Sequence, residues 1–240
     1  MPIRLSTALI AEFIGTFALC FIGILSIHSG AGLLAVAMAH GLAIAVMVSA
    51  TIQTSGGHFN PAVTAGFMLT GKIKPTAGIA YILTQLLAGV VASLLILGCY
   101  SSDARQVVAD GTPQFDPLKL GAGMAVVIEA VLTFFLVFSI WGSAADPRAG
   151  NISGFAIGMA VTLDILAGGP LTGASLNPAR SFGPTLIANS PKLWGQHWVY
   201  WAGPLLGGLL AAAVYHLWLW PRDEQTGAEP PAADVPATQR

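Results

Sequence analysis

The chain has 240 residues, of which 55% are hydrophobic and only 9% are charged. Ordinary soluble domains carry roughly 25% charged residues, so the composition excludes most soluble folds. Ten Lys and Arg against eleven Asp and Glu give a net charge of −1, which offers no basic surface for nucleic acid. Glycine and proline are scattered through the apolar runs, as membrane helices tolerate. A membrane protein is therefore predicted.

The lengths of the apolar runs predict how often the chain crosses a bilayer. A hydrocarbon core about 30 Å thick needs about 20 mostly apolar helical residues. Six such runs follow in chain order: residues 5–27, 33–52, 76–99, 120–143, 152–167 and 197–220. No cleavage pattern follows the first run, which predicts that it is retained. Residues 221–240 are rich in Ala, Pro and Glu and are predicted to form a disordered cytoplasmic tail.

The positions of the cations predict the orientation. Six spans place both termini on one side, together with Arg4, Lys72, Lys74, Arg148, Arg222 and Arg240. Arg105, Lys119 and Lys192 fall on the opposite side. Because cytoplasmic loops carry the excess of Lys and Arg, both termini are predicted to be cytoplasmic, in a plasma or cytoplasmic membrane.

The sequence contains an internal repeat. Asn-Pro-Ala occurs at position 60 and again at position 177, 117 residues later. The same spacing of 117 relates Glu12 to Glu129 and Gly41 to Gly158. Beyond the second motif the spacing becomes 119, which relates Tyr81 to Tyr200 and Gly89 to Gly208. Each half holds three spans, an odd number, so the second half must enter the membrane in the opposite orientation. The prediction is one channel domain over residues 1–220, with inverted halves at about 1–110 and 118–220.

Each half also holds an apolar segment that is too short to cross the membrane, at residues 60–70 and 177–187. Asn followed by Pro is a strong helix start, so two half-helices are predicted to meet near the midplane. The glycine-rich segments before them would line a wet path with carbonyl oxygens. The positive ends of the half-helices would oppose cations, including protons, while neutral hydrogen-bonding solutes pass.

Three acidic residues and two cysteines lie within the apolar runs. Glu12 and Glu129 are predicted to support the irregular loop of their own half, and a proton relay is the alternative. Asp164 is predicted to be hydrogen-bonded behind the pore lining. Cys20 and Cys99 have neither disulfide nor metal-ligand spacing and are interpreted as helix-packing residues.

Two segments carry a resemblance to a known family. Residues 55–63 read Ser-Gly-Gly-His-Phe-Asn-Pro-Ala-Val, and residues 177–181 read Asn-Pro-Ala-Arg-Ser. They resemble the two signature loops of the aquaporin, or major intrinsic protein, family, and the resemblance extends to about Trp220. It implies an all-α membrane protein with six transmembrane helices and two half-helices. It also implies a homotetramer in the lipid bilayer with one pore per subunit, without cofactor or metal.

The resemblance also implies a four-residue pore filter, which spacing from the motifs places at His40, Ile165, Ala174 and Arg180. Water-selective members typically have Phe, His, a small residue and Arg. Here the histidine is on the second span and an aliphatic residue is on the fifth. Residues 165–170 look like the tonoplast intrinsic branch, whose members include channels for ammonia, urea or hydrogen peroxide as well as water. That branch tends to have Asn where this chain has Asp164.

The resulting functional prediction is a passive channel for water and for small neutral solutes such as ammonia, urea or hydrogen peroxide. The central constriction is assigned to two Asn-Pro-Ala triplets, Asn60, Pro61, Ala62 and Asn177, Pro178, Ala179, whose Asn amides would donate to a solute oxygen. Two alternatives stay open: a proton-coupled transporter that uses Glu12, Glu129 or Asp164, and a structural membrane protein with a vestigial pore. No nucleotide loop, nucleophile triad or metal cluster in the sequence supports an enzyme.

Overall fold

The computed structural model of the chain describes residues 3–100 and 103–221. Within these residues the fold is helical and has no strand. Six long helices are α1 (Leu5–His28), α2 (Gly32–Ser55), α4 (Pro75–Cys99), α6 (Ala122–Ile140), α7 (Ser153–Thr172) and α10 (Val199–Val214). Four short helices are α3 (Pro61–Leu69), α5 (Ala104–Asp110), α8 (Pro178–Ala188) and α9 (Pro191–Gln196). Single π-helical turns extend α6 over Trp141–Ala145 and α10 over Tyr215–Leu219.

Six segments of the described chain are long and apolar enough to cross a membrane, which confirms the predicted number of spans. The sixth runs over Pro191–Leu219, because α9 leads almost directly into α10. Large apolar side chains are exposed on the outer faces of the long helices, as a lipid-facing surface requires. Examples are Ile10, Leu34, Leu83, Met124, Phe155 and Leu206.

The fifth span is longer than the sequence predicts. It was expected to end at residue 167, before a Gly-Gly-Pro sequence, but α7 continues to Thr172. The small Gly168 lets the helix pack directly on the Leu132 side chain of α6. The helix ends instead at Gly173, which has φ of 79° and donates its N–H to the carbonyl of Gly169. A glycine in the left-handed conformation is a common helix stop, and Gly56 ends α2 in the same way.

Helices α2 and α7, one from each repeat, pack closely on each other. Gly41 on α2 and Gly158 on α7 are related by the 117-residue spacing, and they pack against each other. A Cβ added to Gly41 would lie 2.5 Å from the Gly158 carbonyl oxygen. Close backbone approach at small residues is how membrane helices gain packing energy without a hydrophobic driving force between them. This contact joins the long helices that precede α3 and α8 in the two halves.

The predicted tail at residues 221–240 begins at the last described residue, and its remainder lies outside the described residues.

Candidate pore and its filter

The half-helices α3 and α8 begin at the two asparagines. The Asn60 Oδ1 atom accepts a hydrogen bond from the backbone N–H of Ala62 at 2.8 Å. The Asn177 Oδ1 atom accepts from Ala179 at 2.9 Å and from Arg180 at 3.3 Å. The residue after each Asn is proline, whose missing N–H leaves no donor unsatisfied in the first helical turn. The caps therefore form as the sequence predicts.

The asparagine amides also join the two halves. Asn60 Nδ2 donates to the Leu176 carbonyl oxygen at 2.8 Å, and Asn177 Nδ2 donates to the Phe59 carbonyl oxygen at 2.8 Å. Each amide group has two N–H bonds, so one N–H of each asparagine is left after these contacts. Both asparagines line the central cavity.

Glu12 supports the first loop. Its Oε1 atom accepts from Ser55 Oγ at 2.7 Å and from the His58 N–H at 2.9 Å. Its Oε2 atom accepts from the Phe59 N–H at 2.7 Å and from Gln85 Nε2 at 2.8 Å. The carboxylate is fully buried, so these four donors replace its hydration.

Glu129 makes the corresponding contacts in the second half. Its Oε1 atom accepts from Thr172 Oγ1 at 2.7 Å and from the Ser175 N–H at 2.9 Å, and its Oε2 atom accepts from the Leu176 N–H at 2.9 Å. It is also fully buried. The position related to Gln85 is Pro204, which has no donor, so this carboxylate has one side-chain donor fewer.

The supported loops have an unusual backbone. Phe59 and Leu176 have φ of 49° and 57°, and Ala174 has φ of 42°. Residues other than glycine rarely adopt this left-handed region, and they keep it only where surrounding contacts enforce it. The glutamate hydrogen bonds to Phe59 and Leu176 provide that enforcement, and the carbonyls of these two residues meet the opposite asparagine.

A narrow cavity of about 30 Å³ lies inside the bundle beside the asparagines. This volume holds only one or two water molecules at a time. One part of its lining contains all four residues assigned to the filter: His40, Ile165, Ala174 and Arg180. Another part is apolar and includes Ile44, Val63, Leu136, Ile140, Ile157 and Val161. The cavity lining is therefore mostly apolar, with polar side chains from His40, Arg180, the two asparagines, His58 and Ser175.

His40 and Arg180 contact each other in the filter. Arg180 Nη2 lies 3.1 Å from His40 Nε2, and His40 Nδ1 lies 2.8 Å from the Val36 carbonyl oxygen. A guanidinium only donates and a carbonyl only accepts. His40 must therefore be a neutral imidazole that carries its proton on Nδ1 and accepts from Arg180. The other terminal nitrogen of Arg180, Nη1, is buried and has no hydrogen-bond partner among the described residues.

A wider vestibule of about 310 Å³ adjoins the filter and shares Ile165 and Arg180 with the narrow cavity. Its other lining residues include Asp110, Thr112 and Gln114, from α5 and the segment after it. The sequence analysis did not predict that this segment lines the vestibule. Its residues are neither apolar enough for a span nor part of a repeated motif, although Gly111 and Pro113 mark a turn.

The hydrogen bonding expected for Asp164 is wrong, although its expected position behind the pore lining agrees with the structure. Its side chain is 1% exposed, but neither carboxylate oxygen has a hydrogen-bond partner in the described part of the chain. One turn further along α7, Gly168 packs on Leu132, which has no donor to offer. The residue is also not among those that line the two pore cavities.

The two cysteines lie outside the lining of the narrow cavity. Cys20 is buried beside the packed glycine Gly89, and Cys99 is exposed near the end of α4. Both are free thiols. Neither is among the residues that line the narrow cavity.

A polar cluster joins three segments at the other end of the bundle. Asp146, which follows the π turn of α6, accepts two hydrogen bonds from the Arg148 guanidinium and one from the Tyr215 hydroxyl. Arg148 also donates to the Leu219 carbonyl, and Lys72 lies 3.1 Å from the centre of the Trp220 ring. The Arg148 hydrogen bonds hold the pKa of Asp146 well below its usual range. We call Asp146, Arg148 and Tyr215 the end clasp.

Comparison with known proteins agrees with this geometry. The model of the family described as "Major intrinsic protein" matches residues 2–215. The chain belongs to the major intrinsic protein family. It is 44% identical over 223 residues to "Aquaporin TIP4-4" of Zea mays, with 87% of this chain and 84% of that protein covered. It is 40% identical over 236 residues to "Probable aquaporin TIP3-2" of Arabidopsis thaliana, with 89% and 84% covered.

The fold is also that of a solved family member. The X-ray structure of the aquaglyceroporin from Plasmodium falciparum superposes with a TM-score of 0.79, at 20% identity, and covers 89% of this chain and 96% of that one. Members of the family are channels rather than enzymes. This aquaporin is an integral, multi-pass membrane protein and a passive channel for water and small neutral solutes.

Proposed function

We propose that selection of the solute takes place at His40, Ile165, Ala174 and Arg180. The observation that supports this proposal is the unpartnered Nη1 of Arg180, a buried donor beside the narrow cavity. A buried donor without a partner costs roughly 1–3 kcal/mol, and a passing solute oxygen removes that cost. The solute would thus replace part of its lost hydration as it passes Arg180.

The remaining filter residues set which solutes fit. His40 already uses both ring nitrogens, so it contributes shape more than hydrogen bonds. Ile165 and Ala174 contribute apolar surface to the cavity that Arg180 also lines. A small neutral molecule with one polar and one less polar side matches this combination, and we propose ammonia, urea and hydrogen peroxide beside water. The fixed positive charge of Arg180 repels cations.

The central asparagines would order the solute at the midplane. One N–H of Asn60 and one of Asn177 are left after the cross-contacts between the halves. If both donate to one water oxygen, that water directs its own hydrogens away from the centre toward either side. Proton transfer along the water file is then interrupted, and the positive ends of α3 and α8 add an electrostatic barrier to cations. Pro61, Ala62, Pro178 and Ala179 hold the two caps in place.

Glu12 and Glu129 would act as loop supports and not as proton carriers. Each accepts at least three hydrogen bonds from its own half, and neither is among the residues that line the described cavities. A carboxylate that exchanges protons with a transported solute needs access to the path. The proton-coupled transporter therefore has little support from this geometry. We also propose that the protein uses neither cofactor nor metal and is not an enzyme.

The assembly and membrane are also proposals. The family resemblance favours a homotetramer with one pore in each subunit. Both termini would be cytoplasmic, in a plasma or cytoplasmic membrane, because Lys72 and Arg148 gather at the end of the bundle where α10 ends. Residues 1–220 would form the single channel domain.

Stopped-flow light scattering of proteoliposomes tests the proposal. Vesicles with the purified protein receive an osmotic step, and the measurement is repeated with urea, with glycerol and with an ammonium pH jump. We expect faster water flow than in empty liposomes, faster flow of ammonia and urea, and no accumulation against a gradient. Shrinkage no faster than in empty liposomes would support the vestigial pore, and accumulation would support the transporter.

A further inference from the structure

The short helix α9 contacts the segment that forms one wall of the outer vestibule. That segment, residues 111–115, follows α5, and its first four residues line the vestibule opposite Ile165 and Arg180. We call it the vestibule wall. Because it has no regular secondary structure, its position depends on contacts with its neighbours.

One buried side chain holds the wall. Gln196, near the end of α9, accepts from the Phe115 N–H through Oε1 at 3.0 Å and donates to the Phe115 carbonyl through Nε2 at 2.9 Å. Gln196 is 8% exposed and Phe115 is 5% exposed. One amide therefore satisfies both backbone polar groups of a buried residue, and either group would be costly to leave unpaired.

The vestibule wall directly contacts the loop of residues 173–176, which carries the proposed filter residue Ala174 and is called the filter loop here. A Cβ added to Gly173 would lie 2.9 Å from Pro113 Cα and 3.1 Å from the Gln114 backbone nitrogen. The next residue after Gly173 is Ala174, which lines the narrow cavity. At its other end, the wall packs through Gly111 on Ile24 of α1. The wall is thus packed between α1 and the loop that begins at Gly173.

A second contact from the same helix serves as a comparison. Lys192 lies one turn before Gln196, and its Nζ atom donates to Gln114 Oε1 at 2.7 Å. This contact is exposed to solvent. Exposed polar contacts contribute little because water replaces either partner, whereas the buried Gln196 contacts have no such replacement.

We propose that Gln196 is a positioning residue that sets the size limit of the pore by fixing the vestibule wall against Gly173. The inference rests on the proposed filter. With the Gln196 hydrogen bonds lost, Phe115 must seek water for its N–H and carbonyl, and the wall moves away from the filter loop. The opening then admits larger neutral solutes, such as glycerol, in greater proportion to water.

The substitution Gln196→Leu removes both hydrogen bonds at nearly constant volume. In proteoliposomes we expect the glycerol-to-water permeability ratio to rise about threefold or more, because the wall loses a buried anchor. Gln196→Glu keeps the acceptor for the Phe115 N–H and loses the donor. Its glycerol-to-water permeability ratio should therefore fall between those of the wild type and Gln196→Leu. Lys192→Met, which removes only the exposed contact, should leave the ratio unchanged.

Two outcomes would overturn the inference: an unchanged ratio in Gln196→Leu with water flow retained, or an equal change in Lys192→Met. If Gln196→Leu fails to fold, Gln196→Asn decides instead, since it stays polar but is one methylene too short to reach both groups. A wild-type protein without any permeability would refute the proposed function, whereas a conducting wild type with an unchanged Gln196 ratio would refute only this inference.

Discussion

The two halves of the molecule build the same support around different pore linings. In each half, a buried glutamate holds the loop, and a tyrosine from the following long helix donates to the end of the preceding helix: Tyr81 to Ser55 and Tyr200 to Thr172. The filter positions differ. The 117-residue repeat relates His40, Ile165, Ala174 and Arg180 to Ile157, Val48, Gly57 and Val63. Thus the two halves share the support of their loops, while the residues at the four proposed filter positions differ between them.

Removal of a glutamate should have the largest effect and should be similar in both halves. Glu129→Leu leaves three buried donors without an acceptor, and Glu12→Leu leaves four. We expect a loss of stability of about 3–5 kcal/mol and loss of water flow in each case. Thermal unfolding in detergent and stopped-flow scattering measure these. Glu→Gln at each site keeps one acceptor and is the matched control; a harmless Glu→Leu in either half would break the comparison.

Arg180→Val should have the next largest effect, and only on selection. It gives the filter the residue found at the related position, Val63. Without the charge and the free donor, we expect the permeability to urea relative to water to change about tenfold and cation leak to rise. Val63→Ala in the apolar lining is the control and should leave both unchanged. Scattering and vesicle conductance provide the readouts, and equal effects of the two variants would contradict the assignment.

Asp164 on α7 has no acidic counterpart in the first half, where the related residue is Met47. The carboxyl is buried without a partner, so Asp164→Leu should stabilise the protein by about 1–2 kcal/mol and leave the solute profile unchanged. Asp164→Asn should likewise leave cation leak unchanged. Thermal unfolding and conductance check both statements, and a large rise in leak with an intact fold would show that the carboxyl acts on the pore.

The end clasp should respond to acid only at low pH. Since the pKa of Asp146 lies below its ordinary value of about 3.9, its contribution to stability is complete above that value and is lost as the pH falls below it. We expect the unfolding temperature to be insensitive to this pair between about pH 8 and pH 5. Asp146→Asn should lower the unfolding temperature in that range and converge with the wild type at lower pH. A constant difference at all pH values would contradict this.

The smallest expected effect is that of mercurials. Cys20 is buried in helix packing, Cys99 is exposed, and neither lines the narrow cavity, so neither thiol is placed to obstruct the path. Water flow should therefore be nearly unchanged after mercurial treatment. Strong inhibition that Cys99→Ser removes would show that this site communicates with the pore.

Features that depend on local sequence signals could be predicted from the sequence, whereas features that depend on contacts between distant residues could not. The six spans were predictable because apolar length is a local signal, and the fold confirms their number. The inverted halves, inferred from the Asn-Pro-Ala repeat and the odd number of spans in each half, stay a prediction. The predicted end of α7 at residue 167 was wrong because packing of Gly168 on Leu132 outweighs the local Gly-Gly-Pro signal. The bond between Gln196 and Phe115 joins residues 81 positions apart, and no periodicity reveals it. The roles of the filter residues come from the resemblance and stay predictions.

The most direct test of the difference between the two ends compares His40→Ala with Ile157→Ala, the related position in the apolar lining. Both substitutions shorten a side chain that lines the same cavity, and they are measured as urea-to-water permeability ratios in proteoliposomes. If selection lies at the filter, His40→Ala changes the ratio by about threefold or more, since Arg180 loses its acceptor, and Ile157→Ala leaves it unchanged. Equal changes in both variants, or a change only in Ile157→Ala, would contradict the assignment of selectivity to one end of the pore.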